Sequence, residues 1–134
     1  MSEIKGLTLR QLFNGDDLPY GKLFYTTSVF VDGVGAVAHC LLIDRFLDSA
    51  QISALLLKEG FRVLSADELD LCVETADDKM PKVSLNALGS HWTEGSSQLV
   101  RRYDYRDRDG QFKKSLGLYN DRWGQGYWFS CKPL

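Results

Sequence analysis

Residues 22–43 read KLFYTTSVFV-DG-VGAVAHCLLI and carry the clearest fold signal in the chain. The first ten are mostly aromatic or β-branched, which favours a β-strand. The Asp-Gly pair in the middle favours a type I′ hairpin turn, because both central residues of that turn need positive φ. A two-residue turn would place Val31 opposite Val34 and Thr26 opposite His39. Both faces of this hairpin are largely apolar, so we expect it to lie inside the fold.

An amphipathic helix is predicted to follow the hairpin. Asp48 can cap its first turn, and Ile52, Leu55 and Leu56 then recur at helical spacing. Gly60 is placed to end the helix, because glycine readily adopts the left-handed conformation found after many helices. We expect the apolar stripe of this helix to cover one face of the sheet.

Two more segments fit the capping-box pattern, in which a Ser or Thr is followed three residues later by Glu or Gln. Thr8 and Gln11 predict a short N-terminal helix. Ser65 and Glu68 predict a helix further along, although the apolar residues that follow Glu68 also alternate as they would in a strand. Residues 77–96 contain Asp, Pro and Gly clusters and are expected to be mostly irregular.

The last third of the chain alternates in the manner of three antiparallel strands. They are predicted over Gln98 to Arg106, Gln111 to Tyr119 and Gly126 to Cys131, joined by turns rich in Asp, Asn and Gly. The face that carries Leu99 and Tyr103 contains more apolar residues and is expected to face the core. The opposite face of this meander is then left in water.

These elements predict a single α+β domain over residues 1–134. It would contain a short N-terminal helix, a β-hairpin, one or two amphipathic helices and a C-terminal three-stranded antiparallel meander. The three cysteines are widely spaced and include no Cys-x-x-Cys motif, which indicates reduced thiols and a cytoplasmic location. No apolar run approaches the roughly 18 residues of a membrane span, so no membrane partner is expected.

Positive charge and aromatic residues are concentrated in residues 97–134. This segment has eight Lys or Arg against four Asp, a net charge of +4, whereas residues 1–96 have eight against fourteen, or −6. It also holds eight of the sixteen aromatic residues. Interleaved cations and rings on a sheet are typical of protein hot spots and of surfaces that bind unpaired bases. The predicted binding surface comprises Arg102, Arg106, Lys113, Tyr119, Trp123, Trp128 and Lys132.

This surface predicts a small non-catalytic binding protein of the inhibitor, immunity or regulatory type, with a protein as its partner. Single-stranded nucleic acid is the alternative occupant, although the chain has no RNP-like aromatic motif and its patch of +4 is weakly basic. A homo-oligomer is compatible with the same features. The acidic run from Asp67 to Asp78 would either steer a basic partner or form a solvated helix face.

A small enzyme is the third interpretation. His39 would face Thr26 across the hairpin, with Ser28 on the same strand face, and this places a base beside a hydroxyl. However, no acidic residue is positioned by the sequence to orient His39. His91 lies in the segment predicted to be irregular, where a surface loop is the simpler role.

No metal or cofactor is expected. Two histidines and three scattered cysteines lack the ligand spacing of a zinc site. Gly33, Gly35 and Ala38 match a dinucleotide-binding fingerprint, but that motif needs a helix where the second hairpin strand is predicted.

Overall fold

A computed structural model describes residues 3–4, 7–8, 16–31, 34–75, 80–106, 108–119 and 122–134. Within these residues the chain forms twelve strands and two helices, which confirms the α+β class. The strands are β1 (Glu3–Ile4), β2 (Leu7–Thr8), β3 (Asp16–Leu18), β4 (Gly21–Val31), β5 (Val34–Ile43), β6 (Leu47–Asp48), β7 (Phe61–Val63), β8 (Leu85–Glu94), β9 (Ser97–Arg106), β10 (Gln111–Leu118), β11 (Arg122–Trp123) and β12 (Trp128–Pro133). The helices are α1 (Ser49–Lys58) and α2 (Ala66–Glu74).

The main sheet has the strand order β10-β9-β8-β12-β5-β4-β3, and β7 pairs with the end of β12. Its neighbouring strands are antiparallel except β8 and β12, which run parallel. The last strand of the chain therefore lies in the middle of the sheet. The pairs β1-β2 and β6-β11 form two small separate sheets.

The predicted hairpin is confirmed, with Val31 opposite Val34 and Thr26 opposite His39. A β-bulge follows at Tyr25, whose φ of 42° is unusual for a residue with a side chain. Because the bulge inserts one residue into β4, the pairing beyond it shifts by one position and Leu23 lies opposite Leu41.

The sheet separates two hydrophobic cores, because successive residues of a strand point to opposite faces. On one face, Leu69 and Cys72 of α2 pack with residues such as Leu85 and Trp128. On the other, Ile52 and Leu56 of α1 pack with a second set that includes Leu41, Phe129 and Trp123. The prediction that the helix around Ile52 covers one sheet face is confirmed.

Both helices begin at the residues predicted from the sequence, and each start is a capping box. Asp48 accepts a hydrogen bond from the Gln51 amide, and the Gln51 side chain accepts one from the Asp48 amide. Ser65 and Glu68 make the same reciprocal pair, so the segment that fitted helix or strand is a helix. The predicted helix after Thr8 falls on residues 9–15, which lie outside the described residues.

The predicted C-terminal meander is wrong in its third strand. β9 and β10 pair as expected, but their other neighbour is β8, which lies in the segment predicted to be irregular. Trp128 and Phe129 point to opposite faces and are both buried, so β12 needs cover on both sides and takes a central position. A register shift between Ala87 and His91 breaks the alternation of β8, which is why the pattern did not indicate a strand.

Candidate binding site

The structure buries both tryptophans of the predicted binding surface. Trp123 folds back from its turn, pairs with Leu47 and donates from Nε1 to the Ser49 hydroxyl at 2.8 Å. Trp128 packs against Phe24 with a ring-centroid distance of 5.5 Å. Their exposed fractions are 2% and 5%. Neither indole is therefore exposed in the way that the predicted binding surface requires.

The cations of the predicted surface lie apart, and most contact carboxylates of the chain. Lys132 contacts Glu68 at 2.9 Å, and Arg102 donates from Nε to Asp104 at 2.7 Å. Lys113 lies 3.9 Å from Asp109.

The remaining two residues of the predicted surface, Arg106 and Tyr119, do not share a site. Arg106 is exposed at the end of β9. Tyr119 stacks on the exposed His91 ring at a centroid distance of 4.2 Å. The seven predicted residues thus do not form one continuous surface.

Two of them, Arg102 and Trp128, meet at a surface groove of about 440 Å³. We call it the Arg102 groove. Its lining consists of Lys82, Val83, Ser84, Arg102, Tyr105, Gln125, Gly126, Tyr127 and Trp128. The lining combines two cations and two partly exposed tyrosines with short backbone segments.

Topology explains why these segments meet. Because β8 and β12 are parallel, with Leu85 paired to Trp128, the residues that precede both strands lie at the same end of the sheet. Leu85 also pairs with Tyr103, so the last three residues of β9 run past the start of β8. The groove forms between this overhang and the segments 82–84 and 125–127.

A hydrogen-bond chain fixes the cation of the groove. Asp104 accepts from Arg102 Nε at 2.7 Å and from the Ser84 hydroxyl at 2.8 Å. Burial alone would raise the pKa of Asp104, but the hydrogen bonds from Arg102 and Ser84 lower the pKa below its usual value. The carboxylate is therefore charged at neutral pH and holds one edge of the guanidinium.

The other edge of the Arg102 guanidinium is available to a ligand. Within the described residues, the hydrogen bond recorded for its side chain uses Nε, and the guanidinium has four further N–H groups on its two Nη atoms. This fork matches the two oxygens of a carboxylate or phosphate. Lys82, which is exposed on the same groove, adds a second positive charge.

Tyr105 and Tyr127 contribute ring surfaces that other rings hold in place. Tyr105 packs edge-on against Phe112 at 5.1 Å, and Tyr127 packs edge-on against Trp123 at 5.2 Å. Tyr127 is 40% exposed, whereas Phe129 and Cys131 of the same C-terminal segment are buried. Neither tyrosine belonged to the predicted surface, because their exposure depends on the route taken by β12.

The predicted His39–Thr26 pair is present, with 3.0 Å between His39 Nδ1 and Thr26 Oγ1. The His39 ring also packs edge-on against Phe61. The cavity that His39 lines has a volume of about 10 Å³, which is about the space of one water molecule. The His39 ring and the Thr26 hydroxyl are thus side by side, but the cavity that His39 lines has no room for a substrate.

Two carboxylates of the acidic run make ion pairs within the fold, whereas the sequence indicated either a surface that steers a basic partner or a solvated helix face. Glu68 is buried and accepts hydrogen bonds from both Arg62 Nη atoms at 2.9 and 2.8 Å. Asp70 accepts from Arg101 Nη1 at 2.6 Å and from the Tyr103 hydroxyl at 2.8 Å. The capping box at Ser65 was the signal that pointed to an inward role for Glu68.

Comparison with known proteins leaves the assignment to the geometry: no protein family matches the chain, and neither does any curated protein or solved structure. In the described part of the chain, neither helix has the length and apolar character needed to cross a membrane. The same residues contain no cluster of three His, Cys, Asp or Glu side chains suited to a metal ion.

Proposed function

We propose that this chain is a non-catalytic binding protein that takes an acidic segment of a partner protein into the Arg102 groove. The observation that carries the proposal is the hydrogen bond from Arg102 Nε to Asp104, at 2.7 Å. Because this bond uses Nε, the N–H groups on the two Nη atoms are left for a ligand. A carboxylate of the partner would accept two parallel hydrogen bonds from this fork.

Pre-organisation supports this role. A free arginine side chain loses rotamer freedom when it binds, and that loss weakens the association. Here Ser84 and Asp104 already hold the guanidinium in one orientation before the partner arrives. Binding a partner therefore costs less side-chain entropy at Arg102.

The lining favours a protein over single-stranded nucleic acid. Tyr and Arg are among the residue types most enriched in the hot spots of protein interfaces. A nucleic-acid channel instead needs a basic path along the backbone and several stacking rings. Trp123 and Trp128 are buried, and Lys132 contacts Glu68. These two rings and this cation therefore contact other parts of the fold and do not line a nucleic-acid channel.

We also propose that the protein works in a reducing compartment such as the cytoplasm. Cys40, Cys72 and Cys131 are all buried and free, and none forms a disulfide. Burial is the largest cause that raises the pKa of Cys72 and of Cys131 to about 12, so both remain neutral thiols at physiological pH.

The test is a titration of the full chain with three probes: a Glu-rich peptide containing Tyr, the same peptide with Lys in place of Glu, and a single-stranded oligonucleotide. We expect the acidic peptide to bind with an affinity that falls as salt rises. Arg102→Gln should weaken it about tenfold or more, as expected for a lost hydrogen bond between charged groups. Arg106→Gln is the matched control, since it removes the same charge from the same strand outside the groove.

Two results would contradict the proposal. Equal loss in the Arg102 and Arg106 variants would show a general charge effect rather than recognition in the groove. Tight binding of the oligonucleotide, with none of the acidic peptide, would favour the nucleic-acid interpretation instead.

A further inference from the structure

The two edges of the main sheet differ in how well they resist pairing with another strand. β3 has three residues and carries Asp16 and Asp17, and a short charged edge discourages strand addition. β10 has eight residues, and its second half carries Leu116 and Leu118 with exposed fractions of 49% and 42%. Within the described residues, β10 pairs on one side with β9 and has no strand on its other side.

The backbone of β10 shows which residues point to this open edge. The Tyr119 amide donates to the Gln98 carbonyl of β9 at 2.8 Å. Because hydrogen-bonding groups alternate along an antiparallel strand, the odd-numbered residues of β10 face β9. Lys114, Leu116 and Leu118 therefore direct their N–H and C=O groups outward.

We propose that a second copy of this chain pairs with the β10 edge, antiparallel and centred on Leu116. In this register Leu116 lies opposite Leu116 of the second copy, and Lys114 lies opposite Leu118 of the second copy. Ser115 then lies opposite Gly117 of the second copy. The outward N–H and C=O groups of the even-numbered residues hydrogen-bond to each other, and the main sheet continues across both copies.

The positions of the lysines favour the register centred on Leu116 over the register centred on Ser115. With Leu116 at the centre, the two copies of Lys114 are four residues apart along the strands, or about 14 Å. That distance exceeds the Debye length of about 8 Å at physiological salt, so their repulsion is largely screened. Centring the pair on Ser115 would halve the separation along the strands and bring the two ammonium groups closer.

The apolar side chains support self-pairing on the face that carries α2. Leu99 lies opposite Leu118 in the β9–β10 pair, and Trp92 of β8 lies opposite Leu99. These three side chains form an apolar strip across the three strands, and on the same face the two exposed Leu116 side chains lie opposite each other at the symmetry axis. The Arg102 groove includes no residue of β10, so the dimer does not depend on the proposed function.

The interface is small, and we therefore expect a concentration-dependent dimer rather than a permanent one. Sedimentation equilibrium of the full chain should give an average mass that rises from 15.2 kDa toward twice that value with concentration. Leu116→Lys places two lysines face to face at the symmetry axis and should abolish the rise. Leu57→Lys is the matched control, since Leu57 is 52% exposed on α1, and it should leave the rise unchanged.

The register is tested separately by cross-linking. Leu116→Cys should give a covalent dimer with a short bis-maleimide reagent, and Leu57→Cys should not. The three native cysteines are buried and provide a low background. A wild-type mass of 15.2 kDa at every concentration would overturn the proposal. Equal cross-linking of the two cysteine variants would overturn it as well.

Discussion

Glu68 lies 2.9 Å from the ammonium group of Lys132, and this contact joins the first turn of α2 to the last strand of the chain. The same carboxylate binds Arg62 of β7 and caps the helix through the Ser65 amide. One buried anion therefore connects α2 both to the adjacent strand β7 and to β12, which is more than 50 residues further along the chain. The Glu68 carboxylate is only 4% exposed, and its two cationic partners, Arg62 and Lys132, compensate its buried charge.

Glu68→Gln should destabilise the fold by about 2–3 kcal/mol. Removing one member of a buried ion pair leaves its partners uncompensated, although the partial exposure of Arg62 reduces the penalty. Urea unfolding followed by circular dichroism measures the change. Asp67→Asn, an exposed neighbour in the same helical turn, is the control and should change the free energy of unfolding by less than about 0.5 kcal/mol.

The stability of the protein should fall as the solution becomes acidic. Burial raises the pKa of Glu68, but hydrogen bonds from Arg62, Ser65 and Lys132 outweigh it and lower the pKa from 4.5 to about 2. The unfolded chain therefore binds a proton that the folded chain does not, and the stabilisation present above pH 4.5 is lost between 4.5 and about 2.

This pH dependence is measured as the free energy of unfolding at a series of pH values, for the wild type and for Glu68→Gln. The variant should lose the part of the slope between pH 4.5 and 2 that Glu68 contributes. Identical slopes in the two proteins would show that other carboxylates account for the acid sensitivity.

Gly89→Ala should destabilise the protein by about 3 kcal/mol or more, the range of a severe steric clash. Gly89 donates to the Leu64 carbonyl at 2.8 Å, and an added Cβ would lie 2.5 Å from that same oxygen. Thermal unfolding measures the effect. Gly95→Ala is the control, because its Cβ meets nothing within 4 Å and costs only the strain of a positive φ, about 1 kcal/mol.

Local signals predicted the elements that depend on neighbouring residues. The Asp-Gly pair in the sequence predicted the pairing of Val31 with Val34, and the helix-start signals at Asp48 and Ser65 predicted where both helices begin. The bulge at Tyr25 could not be predicted, since it depends on how the distant strands cover each face. For the same reason the central position of β12 was missed, because it requires β8 and β5 as partners.

The site was predicted in part for a similar reason. Composition directed attention to Arg102, which lines the groove, but burial of Trp123 and Trp128 depends on tertiary packing. Tyr127 became exposed because β12 takes a central position and the residues before it form a rim. Charge counting treated Lys132 as free, whereas α2 brings Glu68 to it.

Asp104→Asn should weaken binding of an acidic peptide although it removes a negative charge from the groove. Simple electrostatics predicts the opposite, since the loss of an anion makes the groove more positive. The carboxylate holds Arg102 by its Nε, however, and an amide accepts this hydrogen bond more weakly. Calorimetry should show a less favourable entropy of binding, because the guanidinium is then ordered only when the peptide binds.

The control for this prediction is Asp109→Asn, which removes a negative charge near Lys113 outside the groove. It should leave peptide affinity unchanged or slightly increased. Tighter binding in the Asp104 variant would mean that the carboxylate only reduces the positive charge of the groove and does not position Arg102. A loss of affinity confined to Asp104→Asn would show that the orientation of Arg102 matters more than the net charge.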